Sequence, residues 1–255
     1  MKKQILKYIA CDMYYDLYYK YTKPTGSRIL LYHAFGSKLP NDSYGISINL
    51  SLFEEHLKFL QDNYKIYPIN HTTLDNNLNI NSVSITIDDG YLDNLKAIDL
   101  MQKYNIPFTI YVATGFIDKE NYLRKSDLQD ISKLDLCTLG THTVNHVSLS
   151  TLSKEEQYKE LYDSKAFLES IIDKKVIDFS YPFGNYNQSA KIIADELYEI
   201  ISTSHVGINK AGCDKKMLKR IEVIATDDVL NLKRKVEGYY DLVANIVEKR
   251  SKHKI

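Results

Sequence analysis

Two adjacent carboxylates, Asp88 and Asp89, close the alternating run Ser84-Ile85-Thr86-Ile87-Asp88-Asp89-Gly90. Val83, Ile85 and Ile87 have the period of two expected of a strand, so the acidic pair falls at that strand's carboxyl end. Neighbouring like charges repel, and a fold seldom keeps them near its core without a counter-ion. A solvated turn is the plain alternative, since Asp and Gly are ordinary turn residues. A second cluster argues for chemistry instead. His142 and His146 stand four residues apart in GTHTVNHVSLS. In a helical turn that spacing brings both imidazoles to one face, where they can share a metal ion. Two neutral nitrogens and one carboxylate form an open three-ligand site with room for water and substrate. A cation there would bind one Asp and hold the other ionised beside it.

Positioning such groups requires elements that end on a common rim. Strand-like segments are RILLYH (28–33), SVSITI (82–87), IPFTIYVAT (106–114), LCTLGTH (136–142), VIDFSYPFG (176–184), YEIISTS (198–204) and MLKRIEVIA (217–225). Helical patterns alternate with them at 51–64, 92–104, 126–134, 153–172, 187–197 and 227–247. Ser51 with Glu54, and Ser153 with Glu156, have capping-box spacing. Repeated strand–helix alternation implies parallel strands joined by crossover helices, in a (β/α) barrel or an open doubly wound sheet. Both architectures gather functional groups at the carboxyl ends of their strands. His33, Asp88-Asp89, the histidine pair and Tyr181-Pro182-Phe183-Gly184 all fall there.

These residues resemble the polysaccharide deacetylases, carbohydrate esterase family four with its NodB homology domain. That family pairs a T-F-D-D-G strand end with an H-[ST]-x-x-H segment. Here they read Thr86-Ile87-Asp88-Asp89-Gly90 and His142-Thr143-Val144-Asn145-His146, in the same order. The resemblance runs over roughly residues 28 to 225. It implies a single distorted (β/α) barrel domain, Asp88 as general base, and Asp89, His142 and His146 as metal ligands. It further implies a divalent ion, with zinc the first choice and nickel or cobalt also suited to such donors. Tyr181-Pro182-Phe183-Gly184 is similar to the family's R-x-P-Y-G, which makes the backbone N–H of Phe183 the donor to the oxyanion.

Two departures from the pattern matter. Ser180 stands where the family has the arginine that orients the catalytic Asp. Arg220 is similar to an arginine in family branches with the shorter Y-P-G form, and it could serve instead; a rim arginine in a surface ion pair is the alternative. The late L-x-L-H motif, whose histidine is the general acid, is not recognisable. Among the seven histidines, His253 lies in a charged tail, and His56 and His71 read as helix-surface and loop residues. His33 and His205 remain as acid candidates, with His33 favoured by its place at a strand end. A structural histidine bonded to a neighbouring loop is the alternative for it.

The bulk composition is that of an ordinary soluble globular chain: 255 residues, 44% hydrophobic and 26% charged. Lys+Arg and Asp+Glu are equal at 33 each, which argues against a protein that binds nucleic acid by neutralising phosphates. Cys11, Cys137 and Cys213 are widely spaced and form no CxxC pair, as expected of a reduced, cytoplasmic protein. Residues 1–25 read as an amphipathic, tyrosine-rich helix expected to pack on a domain spanning 26–255. Peripheral contact with a membrane surface is its alternative role. Lys7 and Asp12 interrupt any signal-peptide core.

The expected activity is hydrolysis of an N-acyl group, acetyl or formyl, from an amino sugar. With no export signal in view, a nucleotide- or lipid-linked precursor of surface-glycan assembly is the expected substrate. Two rivals stand beside it. One is a deacetylase-like fold kept as a glycan-binding module, favoured by Ser180 and the missing acid motif. The other is a non-haem iron oxygenase, which shares the two-histidine, one-carboxylate triad but gives Asp88 no role.

Overall fold

A computed structural model describes residues 9–19, 21, 25–39, 42, 44–70 and 82–241. Strand β1 is Ser27–Tyr32, β2 Lys65–Ile66, β3 Ser82–Ile87, β4 Phe108–Val112 and β5 Cys137–Thr141. Then follow β6 (Asp178–Ser180), β7 (Ile200–Ser202) and β8 (Arg220–Glu222). Helices α1 (Leu50–Asn63), α2 (Asn94–Lys103), α3 (Lys125–Ile131), α4 (Lys154–Ile172), α5 (Gln188–Leu197) and α6 (Val229–Glu237) cover the outside. Every paired strand is parallel, in the order β7-β6-β5-β4-β3-β1-β8. The two ends of this row approach each other through a parallel bridge between Ser202 and Leu218. The sheet is therefore a nearly closed, distorted barrel. Part of the distortion is at β3, whose first two residues pair with β2 and whose last three pair with β4.

The period of two sorts the side chains of β3. Val83, Ile85 and Ile87 join the outer core with Phe53, Leu57 and Leu60 of α1 and with Ala97, Ile98 and Met101 of α2. Each large apolar side chain buried this way contributes roughly 1.5–3 kcal/mol. The alternate residues, Ser84 and Thr86, share the other face with Thr109, Tyr111, Ser180, Ser202 and Arg220, all buried. The barrel interior is thus polar around Arg220, with Ile29 and Ile200 joining Leu218 and Ile69 in a small separate apolar cluster. Gly140 completes the interior, because a Cβ there would come within 2.6 Å of the Tyr111 ring.

Helix starts follow local hydrogen bonding. The Ser153–Glu156 capping box forms at α4 as expected. At α1 the cap is instead Asn49, whose side chain accepts from the Ser51 N–H, and the helix begins two residues earlier than a Ser51 cap implies. Asn is as good an N-cap as Ser, and here it stands two residues earlier in the chain. α6 is interrupted at Gly238 in the left-handed region (φ 86°), within the 227–247 expected as one helix; helical backbone resumes at Asp241, and 242–247 lie outside the described residues. His71 and His253 lie outside the described residues, as do residues 1–8.

The N-terminal helix, with a π-helical turn over Tyr15–Tyr19, docks by one face only. Tyr15 stacks on Tyr239 at 3.6 Å and its hydroxyl donates to Glu237. Cys11 is buried, while Ile9, Met13, Leu17 and Tyr21, four residues apart in series, face solvent. No helix among the described residues is long and apolar enough to cross a membrane.

Asp178, at the start of β6, is a buried carboxyl whose Oδ1 has no hydrogen-bond partner. Burial, and then the Glu199 carboxylate, push its pKa up to about 7 against the attraction of Lys165. The unfolded chain releases this proton near the ordinary carboxylate pKa, so between about pH 4 and 7 the folded state holds more protons and stability falls as pH rises. Asp178→Asn is therefore expected to leave stability unchanged below about pH 4 and to raise it by on the order of 2 kcal/mol at pH 8. Denaturant unfolding across that range checks it; a gain independent of pH would contradict it.

Candidate active site

The loops after β1, β3, β5 and β6 converge on one rim. Asp88 and Asp89 follow β3 directly and are nearly buried. Asp89 takes a positive φ (75°), uncommon for a residue other than glycine. His142 and His146 reach it from beyond β5. Nε2 of His146 lies 3.1 Å from Asp89 Oδ1, and Nε2 of His142 lies 3.6 Å from the same oxygen. One ligand atom from each of the three residues falls within 4.8 Å of the other two.

The histidines do not meet through a helical turn, contrary to the expectation from their spacing. Residues 142–148 form a loop, with positive φ at Thr143 (63°) and His146 (52°) folding the second imidazole back over the first. His142 Nδ1 lies 2.7 Å from the Ser180 carbonyl oxygen, so it carries the proton and donates it, leaving the Nε2 lone pair for the site. Asp89 Oδ1 is buried and accepts no hydrogen bond. Two imidazole nitrogens around an uncompensated carboxylate oxygen fit a divalent cation with open coordination positions.

Arg220 is not a rim arginine. It is fully buried and pairs with Asp88 through both ends of its fork, Nη1 to Oδ1 and Nη2 to Oδ2, each at 2.7 Å. Nε donates to the Thr203 carbonyl at 3.0 Å and Nη2 to Ser180 Oγ at 2.6 Å. Ser180 therefore supports this pair instead of marking its loss: the guanidinium arrives from β8, and a small residue on β6 leaves it space. Burial alone would raise the Asp88 pKa, but the Arg220 charge and then His142 outweigh it and hold the carboxyl below its ordinary value. Burial pushes His142 down to about 4, so its imidazole is neutral and able to ligate at physiological pH.

The structure also places the remaining candidates. Phe183 has φ 58° and an exposed ring 4.7 Å from that of His146, so its backbone flanks the cluster. His33 follows β1, close enough to act on the pKa of both Asp88 and Asp89, with a buried Nδ1 that has no hydrogen bond and lies 4.0 Å from Glu222. His205 packs against Tyr186. His56 is not on a helix surface: it is buried beneath Tyr32, with Nε2 2.8 Å from the Asp227 carbonyl oxygen.

Sequence reasoning missed the residues that hold the loops. Asp93 Oδ2 accepts from Phe35 N and Ser37 N, and Asn94 donates to the His33 carbonyl, which together fix the turn after β1. Glu160 of α4 does the same for the histidine loop. Its signal was present: Gln157, Leu161, Ser164 and Leu168 line the buried face of α4, and Glu160 lies on that face rather than among the solvated charges.

The polysaccharide deacetylase family model matches residues 75–198. The chain is 27% identical over 211 residues to YxkH of Bacillus subtilis, itself named as a polysaccharide deacetylase, covering 80% of this chain and 74% of that protein. The likeness to polysaccharide deacetylases is carried by residues 75–198, the stretch the family model matches, and by such relatives. The chain is also 25% identical over 134 residues to the peptidoglycan-N-acetylglucosamine deacetylase of Bacillus cereus, covering 52% of this chain and 60% of that one. Among solved structures, the Streptococcus pyogenes deacetylase PplD in complex with acetate superimposes with a TM-score of 0.74 at 26% identity, over 84% of this chain and 99% of that one.

Removing one member of a buried ion pair strands the other, which typically costs about 3–5 kcal/mol. Arg220→Met should therefore destabilise the protein by roughly that amount, and adding Asp88→Asn should recover most of it. Urea unfolding of the single and double variants measures both; an Arg220→Met protein as stable as its parent would contradict the burial of the pair.

Proposed function

We propose that this protein is a divalent-metal-dependent hydrolase that removes the N-acetyl group from an amino sugar of a glycan. The observation that carries the reading is the pair of neighbouring carboxylates with separate partners: Asp88 clamped by Arg220, and Asp89 facing two imidazoles. A solvated turn needs neither arrangement, and a binding module has no chemical use for Asp88. An iron oxygenase would likewise leave the Arg220–Asp88 pair idle.

A divalent cation held by Asp89, His142 and His146 would supply Lewis acidity to the amide carbonyl and to water, with zinc preferred and nickel or cobalt compatible. Asp88 accepts the proton of the attacking water. Because Arg220 keeps its pKa low, Asp88 is ionised throughout the physiological range, at some cost in basicity. The Phe183 N–H donates to the oxyanion as the carbonyl carbon becomes tetrahedral. His33, facing both carboxylates, returns a proton to the leaving amine, which departs as a free amino group beside acetate.

A glycan substrate is supported by the aromatic groups around the rim. Phe183 projects its ring on one side, while Tyr91, Tyr122 and Phe116 stack in series on another. Such faces suit the apolar face of a pyranose ring. The named substrate of the Bacillus cereus relative is peptidoglycan, which favours a polymer over a nucleotide- or lipid-linked precursor. Peripheral membrane contact is supported by the exposed Ile9, Met13, Leu17 and Tyr21 stripe, flanked in sequence by Lys2, Lys3, Lys7, Lys20 and Lys23. Co-sedimentation with anionic vesicles that is lost in Leu17→Lys would support this contact; no sedimentation of the parent would end the idea.

The catalytic reading predicts a division of labour between the two carboxylates. Asp89→Ala should lose the bound cation, while Asp88→Asn keeps the cation and loses about 10²–10⁴ in kcat. Metal analysis and acetate release from N-acetylglucosamine oligomers and nucleotide-linked N-acetylglucosamine measure this directly. Full turnover by Asp88→Asn would rule out its role as base, and turnover of the nucleotide sugar alone would restore the precursor reading.

A further inference from the structure

The loop that carries His142 and His146 has an unusual backbone for a ligand-bearing segment. Two of its non-glycine residues, Thr143 and His146, have positive φ, each costing of order 1 kcal/mol. Such a conformation persists only where its surroundings over-determine it. The surroundings here are explicit. The Thr143 and Val144 carbonyls accept from the backbone N–H groups of Thr114 and Gly115 at 3.1 and 2.8 Å. Gly115 is required there, since a Cβ would come 2.7 Å from the Val144 oxygen. The His146 N–H donates to Thr143 Oγ1 at 3.1 Å. The N–H groups of Val144 and Asn145 both donate to Glu160 Oε2 at 2.9 Å, and Asn145 Nδ2 donates to Oε1 at 2.6 Å.

Glu160 is 9% exposed and belongs to a different element, the second turn of α4. The capping box fixes that helix at its start, and the Gln157 side chain donates to the Leu149 and Leu152 carbonyls. Its carboxylate is therefore stationary before any ligand arrives. A carboxylate that receives two backbone N–H groups and one amide is a strong, charge-assisted acceptor. It also spans the peptides between the two histidines.

We infer that Glu160 is a positioning residue for the metal site: it holds the Val144-Asn145 peptides so that the His146 imidazole stands beside Asp89 before the cation binds. This rests on the metal reading above and deepens it. Glu160 touches neither substrate nor cation. It stores the loop conformation that brings the second nitrogen into place, sparing cation binding the cost of ordering it. Groups that orient metal ligands in this way typically change metal affinity about 10–100-fold when removed.

Cobalt(II) serves as the probe, because its visible absorption reports both binding and coordination geometry. Glu160→Ala should weaken cobalt binding to the apoprotein about 10–100-fold while the protein remains folded. Glu160→Gln should stay within a few-fold of the parent, since its carbonyl oxygen can accept both backbone N–H groups and the Asn145 amide can turn to meet its NH₂. Amide exchange in the metal-free parent supplies a test that needs no variant: the Val144 and Asn145 N–H groups should be protected relative to the exposed Lys119-Glu120 turn. Parent-like cobalt affinity and spectrum in Glu160→Ala would overturn the inference alone, as would unprotected Val144 and Asn145 amides. Failure of the parent to bind cobalt would overturn the metal reading itself.

Discussion

The interaction on which the rest depends is the buried pair of Arg220 and Asp88. A guanidinium with no exposure is costly to desolvate, and the barrel offsets that cost with hydrogen bonds as well as charge. Asp88, Ser180 Oγ, the Thr203 carbonyl and Thr86 Oγ1 accept from it. These acceptors come from β3, β6, the end of β7 and the residue after β3, so the pair draws the far sides of the barrel together. It also explains the interior. Serines and threonines surround the arginine because a full set of branched aliphatics there would leave it no acceptors.

The second constraint is that neighbouring carboxylates must be kept apart electrically. The pairing does this: Arg220 takes both oxygens of Asp88, while Asp89 Oδ1 lies 3.1 Å from His146 Nε2. Asp88 then faces a permanent cation within the barrel, and Asp89 faces two imidazoles at its mouth. His142 connects the halves: its Nδ1 is tied to the Ser180 carbonyl while its Nε2 looks toward both carboxylates. Ser180 is thus in contact with the ion pair through its hydroxyl and with the metal-binding cluster through its backbone. A residue that looked like a loss in the sequence links the two parts of the site.

Much of this was legible before any coordinates. The strand ends at Asp88 and His142 follow from a period of two, and parallel pairing follows from strand–helix alternation, because both are set by local burial. The burial of Arg220 was not legible, because a guanidinium on a short strand reads equally well as a rim cation. His56 was misplaced for a related reason: it lies on the buried face of α1, but polarity alone assigned it to solvent. The histidine loop was read as a helical turn because i, i+4 spacing suits a helix, whereas the pair is brought together by two left-handed residues that no periodicity encodes. The N-cap falls on Asn49 in place of Ser51 because the two residues, separated only by Leu50, have similar capping strength.

The account's central claim is that the two carboxylates have separate duties, one fixed by Arg220 and one offered to a cation. A crystal structure of the zinc-loaded protein, with the ion located by anomalous scattering, tests that claim most directly. The account predicts one ion at about 2.0–2.2 Å from a carboxylate oxygen of Asp89 and from Nε2 of both His142 and His146, with Asp88 still bound at both oxygens by Arg220. An ion ligated by Asp88, with Arg220 displaced from it, would contradict the account.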